Sequence, residues 1–466
     1  MTAGGSQSRV VTEPQRDPGA KPLDDKPKFE EREHCIDMNN ALFSYIAACP
    51  TAYNAVSHTA ALLEAEGYQP LCESCRWPLE AGKGYYVTRN GSSLIAFRMP
   101  DGDFSGFMMT AAHGDSPCFK IKENAEITDG RHLRLSVERY GGMLCATWLD
   151  RPLSVAGRVT VRTDTGLAVK TLDLPDTHAV IPTVAIHMNR NANEGASYNA
   201  AVDMIPLLGE AADAGLLRHR VAEAAGVSED AILTTDLFLY NPQPGFEWNG
   251  YISSPRLDDL QCAFASLTAF VESGKAEVKP ASLPVFCLFD NEEVGSQTKQ
   301  GAASTFLYDV MSRVCAACEA DMTCKLPQSF LVSCDNAHAV HPNHPEYQDR
   351  NHAVYMNGGV VVKYNASQRY TTDAVSAGLF GLICERAGVP IQRYANRADM
   401  PGGSTLGNIA NTQVSLNTVD IGLPQLAMHS AFETAGAKDT EYMVKALTAF
   451  FGAEIRMGAD GVYEVK

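Results

Sequence analysis

The chain has 466 residues, 45% apolar and 20% charged, the proportions of a soluble globular protein, and it is longer than one hydrophobic core ordinarily holds, so two domains are expected. With 38 Lys+Arg against 55 Asp+Glu the formal charge is -17; this excludes a nucleic-acid or anionic-membrane surface and obliges any acidic ligand to find a local cation. No apolar run approaches membrane-spanning length, and Met1-Thr-Ala-Gly-Gly-Ser-Gln-Ser-Arg9 lacks the apolar core of a signal peptide, so a cytoplasmic protein is expected.

In chain order, residues 1–34 carry Pro14, Pro18, Pro22 and Pro27 among charges and read as a disordered tail. Helical patterns follow over 38–48 and 52–66, with Pro50 and Thr51 as breaker and cap. Cys72-Glu-Ser-Cys75 and Cys315-Ala-Ala-Cys318 have redox-like or metal-like spacing. They lie far apart, the second falls within a helical pattern, and the odd total of 13 cysteines suits a reducing compartment, so both are taken as structural thiols. Strands at 85–88 and 92–98 flank Asn90-Gly91, a strong hairpin signal. The apolar run 106–112 then delivers His113-Gly114-Asp115 to its end.

Between residues 117 and 244 the texture changes to short strands at 119–122, 133–137, 158–162 and 167–172, separated by Gly and Asp, with one helix at 211–225. This reads as a β-rich domain inserted between two parts, 35–116 and 245–466, of a catalytic domain. After Pro255 helices and strands alternate: helix 257–272, strand 285–289 running into Asp290-Asn-Glu-Glu293, helix 303–320, and strand 330–333 running into Cys334-Asp335. Strand 360–363, helix 372–387, strands 391–394 and 414–420 and helix 442–453 complete the set. The alternation predicts an α/β fold, a mostly parallel sheet with helices on both faces. Strands that end in His or acid should converge on one sheet edge, where open α/β sheets build ligand sites.

No P-loop, G-x-S-x-G, G-x-G-x-x-G or H-E-x-x-H occurs. What remains is a dispersed set, His113, Asp258 or Asp259, Glu292, Glu293, Asp335 and His429, each in or beside an apolar segment. These donors suit Zn²⁺, Mn²⁺ or Co²⁺. Two imidazoles among six groups would suit two ions sharing a carboxylate, an arrangement that polarises a carbonyl and generates hydroxide near neutral pH. His338, His341 and His344 resemble a metal run, but Pro342 and Pro345 put them in an irregular loop, so a substrate-side or structural role is expected.

Taken together, Ala112-His-Gly-Asp-Ser-Pro-Cys118, Ser254-Pro-Arg-Leu-Asp-Asp-Leu260, Phe289-Asp-Asn-Glu-Glu-Val-Gly-Ser296, Asp335-Asn-Ala-His-Ala-Val-His-Pro-Asn343, the segment 363–370 and Pro424-Gln-Leu-Ala-Met-His-Ser430 resemble the aspartyl aminopeptidases, di-zinc metallopeptidases that remove N-terminal Asp or Glu. The resemblance implies that His113 and Asp335 hold one metal and Glu293 and His429 the other. It further implies that Asp258 bridges them, Asp115 orients His113, and Glu292 is the general base for a metal-bridged hydroxide. Lys363 would pair with the acidic side chain of the substrate, and His187 would reach a neighbouring subunit's site to stabilise the oxyanion. The resemblance also implies a zinc-exopeptidase-like fold, tetrahedral homododecamers with the inserted domain as interface, and short peptides as substrates, with Mn²⁺ or Co²⁺ an alternative at one site. Departures are small: Gly114 stands where many relatives have a hydroxyl residue, Asp259 where Asn is frequent, and the tail is long. Two rival readings are a related aminopeptidase of neutral or broad preference and a non-catalytic shell or cargo-binding protein.

Overall fold

The computed structural model describes residues 29–466 apart from Val278 and Asp460, with side chains from Cys35 onward. Residues 1–28 of the expected tail thus lie outside the described residues. Its last six positions, 29–34, are instead the start of helix Phe29–Ala48. The prolines stop at Pro27, and Phe-Glu-Glu-Arg-Glu-His supplies good helix formers with acid near the helix N-terminus, where the dipole favours it.

The main sheet has nine strands in the order Gln69–Leu71, Gly84–Arg89, Ser93–Arg98, Leu283–Phe289, Phe107–His113, Phe330–Cys334, Asn417–Gly422, Val360–Tyr364 and Ile391–Ala395. It is mixed. The four strands from Leu283–Phe289 to Asn417–Gly422 are mutually parallel. Antiparallel pairings enter through the hairpin at Asn90-Gly91, both with φ near +60°, and where Val360–Tyr364 meets Asn417–Gly422. Every residue of Leu283–Phe289 and Phe107–His113 is buried, as the unbroken apolar runs require of central parallel strands.

Side chains alternate across the sheet into two cores. Met108 and Ala112 face one core with helices Leu257–Ser273 and Asp439–Phe451, whereas Phe107, Met109 and Ala111 face the other with helix Phe306–Ala317. This is the α/β layering expected of the helix and strand rhythm. Boundaries move modestly: the helix expected from 303 starts at Phe306, and the strand expected over 414–420 occupies Asn417–Gly422.

Residues 118–240 form a second, antiparallel sheet of six strands, Gly166–Ala179, Leu153–Thr163, Ile232–Tyr240, Cys118–Thr128, His132–Tyr140 and Leu207–Glu210. It has its own core around Phe119, Trp148 and Leu237. The helix expected over 211–225 is only Leu216–Ala225; Gly215, with φ +95°, separates it from a single 3-10 turn at Ala211–Asp213. A third, five-stranded sheet was not expected: Phe246–Trp248, Tyr251–Ser254, Glu433–Gly436, Pro424–Leu426 and Ala337–His338. Strands of two to four residues carry no readable periodicity.

All 13 cysteines are free thiols. Cys315 is buried, whereas Cys72 and Cys75 are exposed on the loop after Gln69–Leu71.

Candidate metal centre

Register brings the dispersed acids together. Phe289 pairs with His113 across two parallel strands, and Phe330–Cys334 lies on the other side of His113's strand. Consequently His113, the Asp290–Glu293 segment and Asp335 all leave the sheet at the same edge. The fourth contribution comes from the start of helix Leu257–Ser273, where Asp258 (φ -83°, ψ 107°) and Asp259 (φ -118°, ψ 19°) depart from helical geometry. His429, with φ +67°, arrives on the turn between two strands of the third sheet.

The two imidazoles are presented alike. His113 Nδ1 donates to the Asp115 carbonyl at 3.0 Å, and His429 Nδ1 donates to the Gly142 carbonyl at 2.8 Å. Each ring therefore turns Nε2 inward, the orientation that a backbone acceptor imposes on a ligating histidine. Asp258 lies between them: its Oδ1 is 3.5 Å from His113 Nε2 and its Oδ2 is 3.4 Å from His429 Nε2. Glu293 Oε2 is 3.5 Å from His429 Nε2.

Among the described residues, potential ligand atoms lying within 4.8 Å of one another form three groups: His113, Asp258, Asp259 and Asp335; His113, Glu292 and Glu293; and Asp258, Glu293 and His429. Asp258 belongs to two of them. Asp259, the adjacent acid, accepts from the His113 backbone N–H at 3.2 Å.

Negative charge exceeds what the surroundings neutralise. Burial pushes the Glu292 carboxyl up to about 8 and raises Glu293, Asp259 and Asp335, with neighbouring carboxylates adding to the effect. Burial pulls His429 down, yet Asp258 and Glu293 outweigh it and lift the imidazole to about 10; His113 is raised in the same way by Asp115 and Asp258. Asp258 Oδ1, Asp259 Oδ1 and Glu293 Oε1 are buried with no hydrogen-bond partner. Unsatisfied carboxylate oxygens facing inward imidazole nitrogens fit a bound dication, which would replace those protons and satisfy those oxygens.

The remaining expected residues are placed as follows. Asp115 backs the centre with its carbonyl on His113 and with its carboxylate, which accepts from the backbone N–H groups of Glu292 and Glu293 at 3.2 Å each. Lys363 is 2% exposed; its Nζ donates to the carbonyls of Asp335 at 2.8 Å and Asn336 at 3.3 Å and lies 3.6 Å from Asp335 Oδ2. His338, His341, His344 and His187 have exposed side chains, and none belongs to the three groups.

Two supports were not foreseen. Tyr140 donates to Asp115 Oδ2 at 2.6 Å and accepts from Asn291 at 3.0 Å. Glu433, buried, accepts from the backbone N–H of His429 at 2.7 Å and of Asp258 at 3.0 Å. Neither stands in a readable motif; Glu433 is a lone acid in Ser430-Ala-Phe-Glu-Thr434.

Buried carboxylates and inward-facing imidazoles at the carboxyl edge of an α/β sheet define a metal-dependent hydrolase centre. Residues 45–451 match the family model described as aminopeptidase I zinc metalloprotease (M18). A relative from Pseudomonas paraeruginosa, called probable M18 family aminopeptidase 2, is 42% identical over 429 residues, covering 90% of this chain and 98% of its own. A chain of the cryo-EM structure of the Ape4 and Nbr1 complex superposes with a TM-score of 0.87 and 32% identity, covering 91% of this chain and 87% of that one. The S. cerevisiae mApe1 dodecamer gives 0.79 and 27%, covering 90% and 97%. The chain belongs to the M18 family of zinc aminopeptidases.

Proposed function

We propose that this M18 aminopeptidase removes unblocked N-terminal Asp and Glu residues from peptides, with Glu292 as general base. The observation that carries the reading is Asp258, whose two oxygens face the two inward imidazole nitrogens. It supports two zinc ions, which His113 and Asp335 would hold on one side and Glu293 and His429 on the other, with Asp258 available to both; Mn²⁺ or Co²⁺ is an alternative at one of them. When bound, the ions supply Lewis acidity that polarises the scissile carbonyl and acidifies water.

The protein's own groups do the rest. Glu292, its backbone N–H fixed by Asp115, takes the proton of the attacking water and passes it to the leaving amine. The substrate's free α-amine would ligate or face the metal pair, which explains action at free N-termini. Lys363 is the cation assigned to the substrate's acidic side chain; one of its N–H bonds to the Asp335 and Asn336 carbonyls would be shared with that group.

The mApe1 dodecamer supports a homo-oligomer; a tetrahedral dodecamer with residues 117–244 as the interface and 35–116 with 245–466 as the catalytic unit is part of this proposal. Val184, Ile186, Met188 and Val202 are exposed apolar side chains on the segment that carries His187. Covering that segment with a second copy would bury them and bring His187 to the neighbour's centre as an oxyanion donor. Among the described residues no helix is long and apolar enough to cross a membrane, and a cytoplasmic location is part of this proposal.

The test is release of the N-terminal residue from matched Asp-, Glu-, Leu- and N-acetyl-Asp-peptides, before and after chelation and zinc restoration. Metal-dependent cleavage of the two unblocked acidic peptides alone is the expected result. Preference for Leu would overturn the specificity, and silence on all four with zinc bound would favour a binding protein.

A further inference from the structure

The Cys72-Glu-Ser-Cys75 turn lies outside the metal centre and presents two free thiols three residues apart. The Cys75 N–H donates to the Cys72 carbonyl at 3.1 Å, closing a turn that brings the two residues within the separation a disulfide can span. The Ser74 hydroxyl lies 3.1 Å from Cys72 Sγ and 4.0 Å from Cys75 Sγ. Both thiols are exposed.

The turn is held from outside without occupying either sulfur. Trp77 Nε1 donates to the Cys72 carbonyl at 2.9 Å, and Arg313 of helix Phe306–Ala317 donates to the Cys75 carbonyl at 2.7 Å. Arg313 also lies 4.2 Å over the Trp77 ring. Arg89 ties Glu73 to Asp309 of the same helix. Two exposed sulfurs are thus presented on a braced turn, although a loop of this kind needs neither cysteine to hold its shape.

We propose that Cys72 and Cys75 form a surface redox site that undergoes thiol–disulfide exchange with small disulfides of the glutathione class. Cys72 is the attacking thiol. Its thiolate attacks one sulfur of the disulfide, forming a mixed disulfide and releasing one small thiolate. Cys75, deprotonated, then attacks the Cys72 sulfur, closing the intramolecular bond and releasing the second small thiolate. Two protein thiols are oxidised and one disulfide is reduced to two thiols.

The order of attack follows from the surroundings. The Ser74 hydroxyl, 3.1 Å from Cys72 Sγ, is the largest of the local polar groups that hold the Cys72 thiol below its ordinary range. Donors converging on a sulfur favour its thiolate.

The test uses the full, zinc-loaded chain. Oxidised glutathione should convert the pair to the internal disulfide, seen as a peptide spanning residues 72–75 that has lost two hydrogens. Cys75→Ser should instead accumulate a glutathionyl adduct on Cys72, while Cys72→Ser should leave Cys75 largely unmodified. In the parent, iodoacetamide at neutral pH should alkylate Cys72 several-fold faster than Cys324, an exposed thiol that donates to Asp321. Aminopeptidase activity of both Ser variants should match the parent, which separates this site from the metal centre. Equal alkylation of Cys72 and Cys324, or an adduct on Cys72 in the parent that never resolves, would overturn the proposal.

Discussion

Glu433→Gln isolates the role of a buried side chain that ties the His429 segment to the Asp258 segment. In the parent each carboxylate oxygen accepts one backbone N–H, from His429 at 2.7 Å and from Asp258 at 3.0 Å. Glutamine has the same shape but only one oxygen, so its amide N–H₂ must face one of those N–H groups. One hydrogen bond is lost and a buried donor is stranded, a cost of about 1–3 kcal/mol. Because Asp258 contacts both imidazoles, relaxation of its backbone should appear as weaker zinc binding, by about 10- to 100-fold, the usual scale for partners that orient ligands. Competition with a chelating indicator at neutral pH measures this, and circular dichroism checks the fold. Zinc affinity within twofold of the parent, in a folded variant, would refute the reasoning.

Glu292→Gln should retain zinc and fold yet lose at least about 10²-fold in turnover, as removal of a general base does; turnover within a few-fold of the parent would displace Glu292 from that role. Mixed oligomers of His187→Ala and Glu292→Gln subunits should regain part of the activity each lacks alone, and properly mixed but silent oligomers would count against a shared site. Asp439 accepts from the backbone N–H groups of Asn357 and Gly359, and burial lifts its carboxyl to about 7, well above the unfolded value. Its contribution is therefore present at low pH and is lost as pH rises through that value. Relative to Asp439→Asn, the parent should gain about 1.4 kcal/mol between pH 8 and pH 6, read from denaturant midpoints; a difference independent of pH would contradict the assignment.

The edge of the main sheet was legible because burial writes itself into sequence. Leu283–Phe289 and Phe107–His113 are unbroken apolar runs, so the polar residues at their ends stand out as the places where the chain leaves the core. Asp258 and Asp259 could not be separated by pattern alone, since neighbouring acids share one composition. In the fold their backbones differ and are non-helical: Asp258 lies between the imidazoles, and Asp259 accepts from the His113 amide. The third sheet was illegible for want of length, and with it went Glu433. Tyr140 was likewise hidden, because the partner it serves, Asp115, is 25 residues away along the chain.

The six-stranded sheet is laced into the metal centre at its border. The segment leaving strand His132–Tyr140 supplies the Gly142 carbonyl to His429, the Leu144 N–H donates to the His429 carbonyl at 3.0 Å, and Thr147 accepts from the Ala431 N–H at 2.9 Å. Order in that segment and occupancy of the centre are therefore linked equilibria. With His429 as the proposed ligand, whatever firms the six-stranded sheet would raise the affinity for zinc, and zinc would firm the sheet by the same factor.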